Sequence, residues 1–428
     1  MRHYARLIVS CVLLTVAICS AQTRLIPHQV KSVINIGREG TFGSSNVRGL
    51  VLSYPYVYCA GEPGLAVVYV SDPGNPVLVC ERDTLCKANE PSFGLGHLFL
   101  ANWHIPLRVY SLADPAAPVH VFNNHRSDEH FHGWGASVYG NRLYMSEATD
   151  DQHARVWAYN ISTPSAPVEL AHLAFSNRHI GTPLRAGNVL YYTARTRLAY
   201  ADVSNDNAIT PIGSKDLNSL GGTIAKDGDY LYVVSGVLSG YPDGGLRVFS
   251  LANPRDPVQV AYWDQNMNGR DIHIQSGMAF VPAGGNEMFT LDITDPANPY
   301  TIAHTPIEDF PITVDGEGKY VYVGSAEDRR RPEKHWGAKL TVVQVLEDEP
   351  TPTRTPTATP TPTPTIMKGD MEPDGDRDLF DVLRLVDIIL GWPPAPSAHE
   401  RLAGDVDDDG DIDLFDVLAL VDIVLGRI

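Results

Sequence analysis

Short runs of alternating apolar and polar positions fill residues 30–346, and most of them end in the same turn. Copies read Gly64-Leu-Ala-Val-Val-Tyr-Val-Ser-Asp-Pro-Gly-Asn-Pro-Val77, Leu107-Arg-Val-Tyr-Ser-Leu-Ala-Asp-Pro-Ala-Ala-Pro-Val119, Leu246-Arg-Val-Phe-Ser-Leu-Ala-Asn-Pro-Arg-Asp-Pro-Val258 and Met288-Phe-Thr-Leu-Asp-Ile-Thr-Asp-Pro-Ala-Asn-Pro-Tyr300. Looser copies span 156–168 and 198–205, and a last one at 338–345 lacks its turn. Alternation of period two predicts half-buried β-strands. In the turn, an Asp or Asn side chain bonds its own backbone and Pro presets the next φ. The turn residues Asp72, Asp114, Thr163, Asn205, Asn253 and Asp295 are separated by 42, 49, 42, 48 and 42 residues. That period suits a four-stranded propeller blade and gives these acids a structural role.

An aromatic strand precedes each such run: Tyr56-Val-Tyr58, Leu98-Phe99, Leu143-Tyr144, Leu190-Tyr191, Leu231-Tyr232, Ala279-Phe280 and Val321-Tyr322. A further short apolar strand precedes most of these, as in Ile312-Thr-Val314. The pattern predicts seven units of four strands, the seventh lacking its last. The leftover strand Ser32-Val-Ile-Asn-Ile36 is expected to pair into that unit and close the ring, which removes open sheet edges. The repeat resembles the LVIVD repeat family, and the resemblance implies a propeller over residues 22–348. It implies no particular activity, because a propeller is a frame on which different sites are built.

Residues 125–134 carry the densest polar and aromatic stretch of the propeller, His125-Arg-Ser-Asp-Glu-His-Phe-His-Gly-Trp134. His132 and His179 each lie twelve positions before the aromatic of their unit, a register shared with Asn46 and Asn268. They are expected at one mouth of the central channel. There His130, His132 and His179, with Asp128 or Glu129, could hold a transition metal or simply line a wet channel. Trp103, Trp134, Trp157, Trp263 and Trp336 are candidates for sugar-stacking faces or for core between blades.

The C-terminal pattern changes to helical spacing. Leu379, Val382, Leu383, Val386, Ile389 and Leu390 make one apolar stripe; Leu414, Val417, Leu418, Val421, Val424 and Leu425 repeat it 35 residues on. A twelve-residue acidic loop precedes each helix, with carboxylates at loop positions 1, 3, 5, 9 and 12 and Gly at 6. Alternating oxygen ligands about a glycine turn are what a calcium loop needs. The side-chain ligands are Asp370, Glu372, Asp374 and Asp381 in the first loop and Asp405, Asp407, Asp409 and Asp416 in the second. Asp376 and Asp411 offer carbonyls, and Asp378 and Asp413 act through water. The paired loop-helix motifs resemble a dockerin over residues 369–426. The resemblance implies two Ca2+ sites and a cohesin-domain partner, with contacts at Leu379, Phe380, Leu414 and Phe415. Those four are more apolar than the small hydroxyl residues common in that family.

Charge supports this division. Residues 366–428 hold 16 Asp+Glu and 5 Lys+Arg, a net of −11 out of −18 for the chain, which leaves −7 for the other 365 residues. No basic face is left for sequence-independent nucleic-acid binding. Arg2 and Arg6 before the apolar run 7–19, followed by Ser20-Ala21, read as a secretory signal peptide over 1–21, so no span is expected in the mature chain. Cys59, Cys80 and Cys86 would remain after cleavage, and Cys80 and Cys86 are close enough in sequence to close a small loop. Residues 350–365 contain six Pro and eight Thr. They read as a polyproline-like spacer of about 50 Å within a linker over 349–366, which leaves 367–428 for the calcium module.

The fold class expected is thus an all-β seven-bladed propeller plus a small all-α calcium-binding dockerin of paired EF-hand-like loop-helix motifs. The expected function is a secreted or surface-attached protein that recognises an extracellular ligand, carbohydrate included, and docks on a cohesin-bearing scaffold. The alternatives are a dockerin-tethered enzyme acting on polysaccharide and a structural adhesion unit.

Overall fold

The computed structural model describes residues 28–36, 46–62, 64–83, 87–124, 131–149, 153–176, 180–205, 207–236, 244–264, 269–326, 338–345, 368–371, 377, 379–390, 398–407 and 411–425. The chain forms two compact units, Met1–Glu347 and Asp348–Ile428. The signal peptide and linker expected at 1–21 and 349–366 lie outside the described residues.

The first unit is all β. Five antiparallel four-stranded sheets stand separately: β6 (Ala88–Gly94) through β9 (Val119–Asn123), β10 (Phe131–Tyr139) through β13 (Val168–Ser176), β14 (Leu184–Ala186) through β17 (Thr210–Asp216), β18 (Leu220–Asp227) through β21 (Val258–Asp264), and β22 (His273–Gln275) through β25 (Tyr300–Pro306). The other eight strands make one sheet: β2 (Asn46–Ser53) through β5 (Val77–Asp83), with β26 (Phe310–Glu317), β27 (Tyr320–Ala326), β28 (Lys339–Gln344) and β1 (Gln29–Asn35). The expectation of a seven-bladed propeller is corrected to five blades. The physical reason is one backbone bridge, Asn46 to Ala326, which joins the first and last repeats into a continuous sheet.

β1 pairs antiparallel with β28, Ser32 opposite Val342 and Ile34 opposite Leu340, and the Ile36 N–H donates to the Ala338 carbonyl at 2.8 Å. The N-terminal strand therefore completes the last repeat.

The turns form as their chemistry dictates. Asp72, Asp114, Asn205, Asn253 and Asp295 each accept the N–H two residues on through a side-chain oxygen, at 3.0–3.1 Å. In all six turns the carbonyl of the first residue accepts the N–H three residues on, Thr163 from Ala166 included. Side-chain amide bonds from Asn75 and Asn298, then the Asx N–H bonds, hold the Asp72 and Asp295 carboxyls below the usual range.

Seven apolar clusters fill the spaces between consecutive repeats, and the last joins Tyr322, Leu340 and Val342 to Val57, Val68 and Val70. The aromatics of the second strands are central to them. Tyr58, Tyr144, Tyr191, Tyr232 and Tyr322 are buried. The Tyr58 hydroxyl donates to the Pro115 carbonyl at 3.0 Å and that of Tyr191 to Pro254 at 2.6 Å, so each aromatic ties its repeat to the next turn. Trp157 and Trp263 are core, each 7% exposed, not sugar platforms. Cys59 and Cys80 are buried free thiols, so the small loop that the spacing of Cys80 allows is not closed by that thiol.

The second unit contains helices α1 (Leu379–Ile389), α2 (Ala398–Ala403) and α3 (Leu414–Val424). Met371, Val382, Leu385, Ala403, Val417 and Leu420 make its core. The helical stripes are a correction: Leu383, Leu390, Leu418 and Leu425 are more than half exposed, whereas Leu385 and Leu420 are fully buried. Eight of eleven positions in α1 and nine of eleven in α3 are apolar, so periodicity alone could not choose the packed face. No described helix is long and apolar enough to cross a membrane.

Candidate functional site

Two places concentrate chemistry, the loop before α3 and the axis of the propeller.

In the loop, Asp405, Asp407 and Asp416 offer carboxylate oxygens within 4.8 Å of one another, the one such group of potential metal ligands among the described residues. Asp416 is fully buried. Its Oδ1 accepts the N–H groups of Val406 at 2.6 Å and Asp407 at 3.3 Å, and its Oδ2 accepts that of Asp413 at 2.7 Å. The Asp413 side chain caps α3 by accepting the Phe415 N–H at 2.7 Å. Backbone N–H donors thus hold the Asp416 carboxylate, and the start of α3 holds that of Asp413. Lys368 Nζ lies 3.3 Å from an Asp405 carboxylate oxygen and partly offsets the local charge. A donor set of hard carboxylate oxygens fits calcium.

The first loop repeats the arrangement where it is described. Asp381 Oδ1 accepts the Met371 N–H at 2.7 Å, the counterpart of the Val406 bond 35 residues on. Asp370 and Asp381 are buried. Glu372, Asp374, Asp376, Asp378 and Asp409 lie outside the described residues. Asp411 is exposed. Leu414 and Phe415 are 64% and 65% exposed and share their face of α3 with Leu418. Leu379 and Phe380 open α1.

On the axis, one cavity of about 410 Å³ is lined by residues from all seven repeats. Its wall has a common register. Arg48, Asn89, Trp134, Gly181, Gly222, Arg270 and Ile312 each lie ten positions before the aromatic of their second strand. Irregularities in the innermost strands fall at these positions, between Val47 and Gly49, Ala88 and Pro91, Gly133 and Gly135, Gly221 and Ile224, and Pro311 and Thr313. A bulge re-aims a residue out of the ladder, and in these five repeats it turns one to the cavity wall; Gly181 and Arg270 lie just before β14 and β22 and reach the wall without one. The sequence signal was present, two positions after the register read from the histidines.

Arg48 donates to Glu62 at 3.0 Å and lies 5.6 Å from the Trp103 ring centre; Lys87 reaches the same Glu62 oxygen at 2.8 Å. Although burial opposes it, hydrogen bonds from Lys87 and Arg48 hold the Glu62 carboxyl low. Arg270 lies 5.6 Å from the Phe310 ring centre, and among the described residues it has no carboxylate partner. Loss of surrounding water, then the charge of Arg48, pulls its guanidinium down. Glu90 reaches Thr223 at 3.5 Å and joins the second repeat to the fifth. Loss of water, then the Asp271 charge, pushes its carboxyl up to about 8. Asp271 is also raised, by burial first, against the hydrogen bonds it accepts from Val314, Thr313 and Ile272.

His132 is buried, stacked on Trp103 at 4.5 Å and edge-on to His104 at 5.1 Å. It does not line the axial cavity. His130, His179 and Trp336 lie outside the described residues.

The LVIVD repeat model matches residues 45–84 and 268–303. In fold the chain is similar to a chain of the mitotic checkpoint complex, with 11% identity, TM-score 0.58, and 77% of this chain and 95% of that one covered. It is similar to the β-propeller domain of Cps50 (Swd1) from Myceliophteria thermophila, with 11% identity, TM-score 0.54, and 75% and 100% covered. The WD40 β-propeller domain of Doa1 gives 11% identity, TM-score 0.53, and 75% and 98% covered. Among curated proteins none matches this sequence. At these identities the likeness speaks for fold alone, and the first unit is a β-propeller carrying LVIVD repeats.

Proposed function

We propose that this is a secreted recognition protein of two modules. The propeller engages an extracellular ligand. The 367–428 unit is a dockerin-like calcium module that attaches the protein to a cohesin-bearing scaffold or surface protein. The observation that carries this reading is the Asp405, Asp407 and Asp416 oxygen cluster at the start of a helix that exposes Leu414 and Phe415. Calcium would be held by these three carboxylates, with Asp409 and the Asp411 carbonyl completing the second loop. Asp370, Glu372, Asp374 and Asp381, with the Asp376 carbonyl, would serve the first. The ion would quench mutual repulsion and order the loop, so that binding and folding of a small core are coupled.

The test is binding of the full chain to a panel of cohesin domains, with calcium and with excess chelator. Calcium-dependent capture is the expected result. Capture that survives chelation, or none in calcium, would end the docking reading.

A second reading, an enzyme acting on polysaccharide, draws on the raised carboxyls of Glu90 and Asp271 beside the axis, since a neutral carboxyl can serve as a general acid. Release of reducing ends from polysaccharides, lost in Glu90→Gln, would favour it.

A further inference from the structure

We propose that the axial cavity binds a small polyhydroxylated carboxylate the size of one uronic acid, with Arg48 and Arg270 holding its carboxylate. The proposal rests on the reading of the propeller as the recognition module, and it names the site and the ligand class.

A volume of about 410 Å³ lies within the ~300–1,000 Å³ of small-molecule sites. The wall is asymmetric. Gly181 and Gly222 stand in the register where other repeats place Arg48, Trp134 and Arg270, so one side is bare backbone and the other carries the large groups.

The balance of charge favours an anion. Glu62 faces two cations, Arg48 and Lys87, and so leaves one positive charge over. Arg270 adds a second, exposed and without a carboxylate partner among the described residues. An aromatic ring backs each guanidinium at 5.6 Å, which fixes it without neutralising it. Asp271 does not line the cavity and is engaged by Thr313 Oγ1 at 2.7 Å and by the N–H groups of Val314 and Ile272 at 3.0 and 2.9 Å.

Among the described residues, Glu90 is the one acid in the wall. The Thr223 hydroxyl has a single hydrogen, and its shorter bond runs to the Arg270 carbonyl at 2.9 Å. The longer 3.5 Å contact from the same hydroxyl to Glu90 is therefore weak and does little to hold the carboxylate ionised. A neutral Glu90 removes the repulsion that an entering carboxylate would meet, in line with the upward displacement of its titration.

Asn46, Asn89 and Thr223 supply amide and hydroxyl groups for a polyol, and the half-buried Trp134 offers a ring for the apolar face of a sugar. Guanidinium pairs suit a planar carboxylate through parallel N–H bonds.

The experiment is isothermal titration of the full chain with D-glucuronate, D-glucose and inorganic phosphate. Saturable binding of glucuronate is expected. Loss of one charge-assisted contact should weaken it about tenfold or more, both in Arg270→Gln and for glucose on the unaltered chain. Arg48→Gln should do the same, with melting curves showing that both variants fold. No saturable binding of glucuronate, equal binding by folded Arg270→Gln, or equal affinity for phosphate would overturn the proposal. A glycan array separates the two levels. Binding to other glycans with none to uronates would overturn this site assignment and leave the recognition reading standing, and no binding at all would overturn it and remove carbohydrate as the ligand class.

Discussion

Asp416→Asn is the sharpest test of the proposed calcium loop. The native carboxylate is fully buried and accepts three backbone N–H groups, from Val406, Asp407 and Asp413. Asparagine keeps one acceptor oxygen and replaces the other with a donor. At least one backbone N–H then faces an NH2 group. Loss of a hydrogen bond to a charged acceptor costs about 1.5–3 kcal/mol. In a unit of this size each kcal/mol moves Tm by about 4–8 °C, so the metal-free variant should melt roughly 10 °C below the metal-free parent. Calcium adds a second, separable effect. One site at a hundred times its Kd stabilises by about 2.7 kcal/mol, and two equivalent sites by about twice that. The variant keeps the first loop and loses the second, so its calcium-induced rise should be about half that of the parent. Differential scanning calorimetry of the full chain, with calcium and with chelator, follows the tail transition. An equal calcium-induced rise in parent and variant would refute the argument, whatever the metal-free melting points.

Three further outcomes test the propeller. Lys339 is 4% exposed and lies 2.7 Å from Glu308 and 2.8 Å from Asp309, itself buried; Lys339→Met strands a buried charge and should cost about 3–5 kcal/mol in urea unfolding, and a loss under 1 kcal/mol would show the pair to be solvated. Tyr191→Phe removes the bond to the Pro254 carbonyl, and Asn253→Ala the side-chain bond to the Arg255 N–H of the same turn; each should cost about 0.5–1.5 kcal/mol, and an unchanged denaturation midpoint would discount the bond concerned. For Glu90, the folded carboxyl titrates above its ordinary 4.5, at about 8, so the native state holds the proton longer than the unfolded chain. Its contribution to stability must therefore fall as pH rises from about 4.5 to about 8 and level off above that. Stability of Glu90→Gln relative to the parent should climb over that window, and a pH-independent difference would contradict the raised titration.

The repeat was legible because two local signals recur together, the alternation that makes strands and the Asp/Asn-Pro turn. The capping bonds of Asp72, Asn253 and Asp295 are the physical content of that signal. Pairing of the N-terminal strand with the end of the last repeat could be argued by counting strands. The Asn46 to Ala326 bridge that merges two sheets could not, because a single backbone contact leaves no pattern in side chains. The wall of the channel was missed by two positions. The histidine-rich segment points to His132, but the ladder slips at Gly133 to Gly135 and turns Trp134 to the axis while His132 packs on Trp103. In the tail, the acidic spacing marked Asp405, Asp407 and Asp416, whereas helices with apolar residues on almost every face could not say that Leu420 is inside and Leu418 out.

The strand that leads into the tail is flanked on both sides, by β27 and by β1, whereas in each of the five separate sheets the last strand lies at an edge. Any pull applied from the C-terminus is therefore borne by two antiparallel ladders loaded along their length, so that many hydrogen bonds must shear at once instead of opening one after another. Were the protein moored by its tail as proposed, this device would hold the propeller together under tension.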